Sequence, residues 1–144
     1  MDKLRNFGFL MRDVSRLSAR LFESNAGELE LTLPQCKVLA HLSRNEGISQ
    51  ARLADLTETD PMTLVRTLDR MQQDGWIERR ADPVDRRAHR LYLLEGAKPV
   101  VNRMWKIAEQ VRNEALSDLS QAEREQLVDL LERIHCTLSA LEAK

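Results

Sequence analysis

Any chemistry in this chain turns on its arginines. Arg66 and Arg70 stand four residues apart in PMTLVRTLDRM, and Arg79, Arg80, Arg86, Arg87 and Arg90 crowd the stretch that follows. A guanidinium keeps its charge and offers five N–H donors in a planar fork, so it fits paired acceptors such as guanine O6 and N7 or phosphate oxygens. Catalysis has no comparable support. The chain has no glycine-rich phosphate loop, nucleophile elbow or zinc-peptidase motif, and His41, His89 and His135 have no evident nucleophile partner. With Cys136 added, these histidines still form no ligand pair on one helical face, so neither a metal nor another cofactor is expected and the protein reads as a non-enzyme.

The elements around the arginines decide what the forks can reach. Residues 48–96 read as helix, turn, second helix and a hairpin with an arginine-rich tip, which is the order of a winged helix-turn-helix. Ser49 caps the first of these helices, and Thr57-Glu58-Thr59-Asp60 is the turn. Thr59 or Asp60 caps the next helix, Pro61 presets its first turn, Leu64, Leu68 and Met71 face inward, and Gly75 ends it. Trp76 and Ile77 start a strand that turns through Asp82-Pro83-Val84-Asp85 and returns with Leu91 and Leu93 inward. Upstream lie a long amphipathic helix (Leu4, Phe7, Leu10, Met11, Val14, Leu17 and Leu21) and a second helix opened by Thr32 and Gln35. Ile48 is expected to add a one-residue strand against the hairpin. Downstream, a helix from Ala97 to about Leu116 is followed by a last one, opened by the capping box Ser120 and Glu123 and striped with Leu127, Leu130, Leu131, Ile134, Leu138 and Leu141.

The fold class is therefore mainly α with a small β-wing: helix, helix, short strand, helix, helix, two hairpin strands, helix, helix. Residues 1–144 form one domain, with a winged core over 32–95 and dimerisation helices over 1–26 and 97–144. The terminal stripes exceed what one small core can cover, so they read as a shared homodimer interface. The 22 basic and 23 acidic residues give a net charge of −1, so affinity for a polyanion must come from where charge sits. No run is long and apolar enough to span a bilayer and the start shows no leader pattern, so no membrane partner and a cytoplasmic location are expected.

With the second helix of the motif in the major groove of double-stranded DNA, Pro61, Met62, Thr63, Arg66 and Thr67 are placed to reach base edges, with Arg70 a turn further on. Arg66 is the foremost candidate, worth about 1–3 kcal/mol of discrimination against a wrong base. The competing reading is a surface ion pair with Asp69 or a hairpin acid. At the tip, Arg87 is expected to enter the minor groove, Arg86 to follow it or hold a phosphate, and Asp85 to orient an arginine through a charge-assisted bond. Two rival readings stand beside this one. One is a winged-helix module for protein contact. The other is a redox-sensing regulator built on Cys36, which lies near a helix start beside Lys37. A structural disulfide between Cys36 and Cys136 is not expected, and both read as packing residues.

In Leu64-Val65-Arg66-Thr67-Leu68-Asp69, Asp74-Gly75-Trp76-Ile77-Glu78-Arg79 and Asp85-Arg86-Arg87-Ala88, the last matching a D-x-R-A wing pattern, the chain resembles the MarR family of bacterial regulators and its SlyA-like branch. The resemblance covers almost the whole chain in element order. It implies a homodimer that binds a palindromic operator and represses transcription, or activates it by displacing a silencing protein. It also implies a pocket between the dimer helices and the winged domain for a small-molecule effector, an aromatic carboxylate or a phenolic. Arg16 stands where SlyA-like proteins can hold such a carboxylate, and Cys36 and Ala40 occupy places where they can have a large aromatic and a histidine. Leu94 replaces the threonine that usually opens the fifth helix.

Overall fold

The chain's helices begin where a short polar side chain can accept an otherwise orphan backbone N–H. In the computed structural model, which describes residues 2–29 and 31–143, a 3-10 turn over Lys3–Asn6 leads into α1 (Phe7–Asn25). In α2 (Leu33–Arg44), the Thr32 hydroxyl accepts from the Gln35 N–H while Gln35 Oε1 accepts from the Thr32 N–H. Ser49 Oγ caps α3 (Gln50–Thr57) and the Asp60 carboxylate caps α4 (Pro61–Gln73). The turn between them passes through Glu58 at φ +50, a left-handed position without glycine. Gly75, at φ +77, turns the chain out of α4 and into the hairpin β1 (Ile77–Ala81) and β2 (His89–Leu93). Then come α5 (Lys98–Ala115) and α6 (Gln121–Glu142), the latter opened by the Ser120–Glu123 capping box.

The core lies where α2, α3, α4 and the base of the hairpin meet. Leu39, Leu42, Leu53, Leu68, Met71, Ile77 and Leu91 are fully buried, and Val100 and Met104 bring α5 onto the same cluster. α1 packs along α5. This places α4 with its inner face, Leu64, Leu68 and Met71, fixed against the core and its opposite face outward.

Three features differ from the sequence expectation. The strand expected at Ile48 is a single bridge, Ser49 to Arg90, flanked by hydrogen bonds from the Gly47 N–H to Leu91 O and from the Leu91 N–H to Ile48 O. Ser49 must already serve as the α3 cap, so no length is left for a third strand, and the sheet has two. The fifth helix, expected from Ala97, starts at Lys98 after a 3-10 turn over Glu95–Ala97, with Pro99 in its first turn, and Leu94, whose lack of an oxygen already put its cap in question, makes no side-chain cap bond. The first-helix stripe, expected from Leu4, lies partly on the 3-10 turn rather than on α1.

The terminal helices are left bare. Among the described residues neither α1 nor α6 has a buried side chain, and α6 makes no substantial packing contact with another element. Its start is held to the end of α5 by Arg124, whose Nε donates to Leu116 O and Leu119 O. Phe7, Leu10, Val14, Leu17, Leu130, Leu138 and Leu141 are all exposed, as is Trp105 on α5. Met1 and Lys144, the ends of the expected dimerisation segments, lie outside the described residues.

Candidate nucleic-acid interface

Burial of Leu64, Leu68 and Met71 turns Met62, Thr63, Arg66 and Arg70 to the outside of α4. The Asp60 carboxylate accepts from the Thr63 N–H at 3.2 Å, and Pro61 needs no partner for its nitrogen, so the start of α4 is held rigid. Thr67 is half-buried, and its hydroxyl donates back to Thr63 O at 3.0 Å. Arg70 makes a long contact to Asp74 at 3.4 Å with its side chain 70% exposed, an arrangement worth little and readily exchanged for another acceptor.

The competing reading of Arg66, an ion pair with Asp69, is not what forms. Asp69 Oδ1 instead lies 2.8 Å from Arg79 Nη1, and Arg66 has no ion pair or side-chain hydrogen bond among the described residues. Arg79 reaches α4 from β1, where its Nη1 also donates to Gln72 Oε1 at 2.9 Å and its Nη2 to Val65 O at 3.2 Å. Its side chain is only 17% exposed, so it is an internal clamp and not a DNA probe.

The hairpin arginines divide by the same test. Arg80 and Arg90 face each other across the strands, a like-charge pair that would repel if both stayed put. Arg80 pairs with Glu78 and lies 4.0 Å over the Tyr92 ring, while Arg90 turns to Asp82 at 2.8 Å and to Gly47 O at 2.9 Å. Gly47 has φ +82 and lies so close to Tyr92 that a Cβ there would sit 3.3 Å from the phenol oxygen. Asp82 Oδ1 accepts from the N–H groups of Val84 (2.8 Å) and Asp85 (3.2 Å), which holds its carboxyl below the usual range. Arg86 and Arg87 have exposed side chains with no ion pair among the described residues. Asp85 differs from expectation: its carboxylate accepts from the Arg87 backbone N–H at 3.0 Å and does not hold a guanidinium. A carboxylate two residues back reaches the main chain more readily than the far end of a long side chain.

The loop tip thus presents Arg86 and Arg87, with Val84 95% exposed beside them. A cleft of about 460 Å³, lined by Ser49, Ala54, Pro61, Leu64, Arg87 and His89, separates the tip from the start of α4. Helix and tip are thus two separate arginine-bearing surfaces on either side of the cleft.

The residues singled out for an effector are not gathered by one chain. Arg16 is exposed and pairs with Asp13 at 2.9 Å. Cys36 is buried and lines a pocket of about 380 Å³ with Phe22, Leu31 and Pro34, which Arg16 and Ala40 do not reach. Ala40 is half-buried against the core. Burial, reinforced by Glu23, raises the Cys36 thiol from 9.0 to about 11, the opposite of what an oxidation sensor needs. Among the described residues no group of three or more His, Cys, Asp and Glu is placed to hold a metal ion.

Sequence reasoning missed Arg79, Asp82 and Arg90 as structural parts of the interface. One signal was available for Arg79: strand alternation puts it on the same side as Ile77, which is buried.

Known proteins share this fold. The sequence pattern of the MarR family matches residues 31–89. A crystal structure of MarR is 26% identical, with a TM-score of 0.86 over 99% of this chain and 97% of that one. A cysteine mutant of MarR from E. coli, complexed with operator DNA, is 25% identical, with a TM-score of 0.71 over 93% of this chain and 99% of that one. BpsR from Bordetella bronchiseptica, described for regulation of its DNA binding by 6-hydroxynicotinic acid, is 25% identical, with a TM-score of 0.74 over 90% of this chain and 98% of that one.

Proposed function

We propose that this chain is a DNA-binding transcriptional regulator of the MarR family, that it acts as a homodimer on a palindromic operator, and that a small aromatic carboxylate or phenolic releases it. The observation that carries the reading is the division among its arginines. Arg79, Arg80 and Arg90 are engaged within the fold, whereas Arg66 on the helix and Arg86 and Arg87 at the tip have no ion pair among the described residues. A net charge of −1 gives no general attraction to DNA, so free guanidinium groups at two contact points must supply it. Arg66 reads a base edge in the major groove, Pro61, Met62, Thr63 and Thr67 shape the contact, Arg70 holds phosphate, and Arg87 enters the minor groove beside Arg86.

The bare faces of α1 and α6 support the homodimer, which doubles every contact and sets half-sites about one helical turn apart. An effector bound between terminal helices and winged core would change the spacing of the two halves. Placement in the SlyA-like branch rests on the sequence stretches alone. No helix among the described residues is long and apolar enough to cross a membrane, and we place the protein with its DNA in the cytoplasm.

Duplex fragments selected from the source genome and titrated by fluorescence anisotropy at several salt concentrations test this reading. Arg66→Ala should reduce the preference for the selected site over a scrambled one by roughly 5- to 150-fold, the span of about 1–3 kcal/mol. Arg87→Ala should weaken both duplexes with less change in their ratio. Full affinity and preference in both variants would reject the proposal.

A further inference from the structure

We infer that Arg79 is a positioning residue for base reading: by occupying Asp69 from the neighbouring strand, it leaves the Arg66 guanidinium free for DNA. The inference rests on the DNA reading proposed above. Arg66 and Asp69 are three residues apart on α4, so their side chains are neighbours on the helix surface. The chain contains its own control for that spacing. Arg52 and Asp55, in the same order and at the same separation on α3, pair at 3.0 Å, and Arg16 with Asp13 and Lys98 with Glu95 also pair three residues apart. Arg66 and Asp69 do not, because Arg79 holds the carboxylate at 2.8 Å.

Arg79 wins the competition because it arrives already ordered. Its guanidinium also donates to Gln72 Oε1 and Val65 O, and its side chain is 17% exposed against 56% for Asp69. A fork held by two other acceptors loses little further freedom on taking the carboxylate, whereas exposed Arg66 would have to give up its rotamers. The clamp also cancels a negative charge that would otherwise face the phosphates from the reading helix.

The test is a set of anisotropy titrations on selected and scrambled duplexes with wild type, Arg66→Ala, Arg79→Met, Asp69→Asn and the Arg79→Met/Asp69→Asn double variant. Arg79→Met should cut the preference ratio about two- to five-fold, the scale of an exposed ion pair. Asp69→Asn alone should leave the ratio near wild type, and the double variant should recover it. In an Arg66→Ala background, Arg79→Met should produce no further loss of preference. Arg79→Lys, which keeps a cation for Asp69, should retain most of the ratio and guards against a fold lost in Arg79→Met. An unchanged ratio in Arg79→Met, or a loss that persists in the double variant, overturns the role of Arg79 alone. Full retention of preference in Arg66→Ala overturns the base-reading role of Arg66, and absence of preference in wild type overturns the DNA reading as well.

Discussion

Leu68 and Leu138 both belong to the apolar stripe of an amphipathic helix, yet Leu68 is 0% exposed and Leu138 is 59% exposed. The first sits in the winged core, where α2, α3 and the hairpin close over α4 and α5 joins the same cluster; the second sits on α6, which among the described residues makes no substantial packing contact with another element. The stripe states only that a face will be covered. Whether the cover comes from the same chain depends on how many elements fold back toward it. Here the short connections around α3, α4 and the wing bring that core together, and α6 extends beyond it from the end of α5.

The largest way to break this contrast is to put charge on the bare side. Leu131→Asp together with Leu138→Asp should leave the fold of a single chain intact, because both side chains are exposed in it, and should weaken self-association roughly a hundred-fold or more. Light scattering coupled to gel filtration reads this directly; an unaltered dimer would show that α6 is not the shared face. Leu68→Ala tests the other side and should cost about 2–5 kcal/mol in urea unfolding, largely by leaving a cavity. A cost below about 1 kcal/mol would mean that the core around α4 is loosely packed.

The two cysteines repeat the comparison. Cys36 is buried in the core and its thiol is raised to about 11, whereas Cys136 is exposed on α6. A shift from 9.0 to about 11 lowers the reactive thiolate of Cys36 by roughly a hundred-fold near neutral pH, apart from any loss of access. Native protein treated with a thiol reagent should leave Cys36 unlabelled until it unfolds; fast native labelling of Cys36 would revive the redox reading. A smaller effect is expected at the start of α6, where Ser120→Ala should cost about 0.5–2 kcal/mol by removing its cap.

The smallest effect concerns pH. Hydrogen bonds from the Val84 and Asp85 N–H groups lower the Asp82 carboxyl, and those from Ser120 lower Glu123. A depressed carboxyl stabilises the fold above its unfolded value and loses that contribution as pH falls through the lowered one. The Val84 and Asp85 amide signals should therefore keep their folded positions down through the ordinary carboxylate range and move only in stronger acid. Movement centred at or above the ordinary range would contradict the Asp82 turn.

Local rules made much of the molecule legible. The caps at Thr32, Ser49, Asp60 and Ser120 and the inward face of α4 each depend on residues within one or two turns of each other. Long-range partners were not legible in that way. Arg79 lies among other hairpin arginines in sequence, and only the folding of β1 against α4 brings it to Asp69 and removes it from the exposed set. Arg16, Cys36 and Ala40 were grouped by resemblance, and in one chain they occupy different surroundings, because helical spacing does not say which face meets which pocket.

Sedimentation equilibrium of the purified chain at micromolar concentration tests the central claim most directly. The expected result is a single species of twice 16.6 kDa that dissociates in Leu131→Asp/Leu138→Asp. A wild-type mass of 16.6 kDa would contradict it, because the bare faces of α1 and α6 would then need no second copy, and the paired arginine probes would not exist.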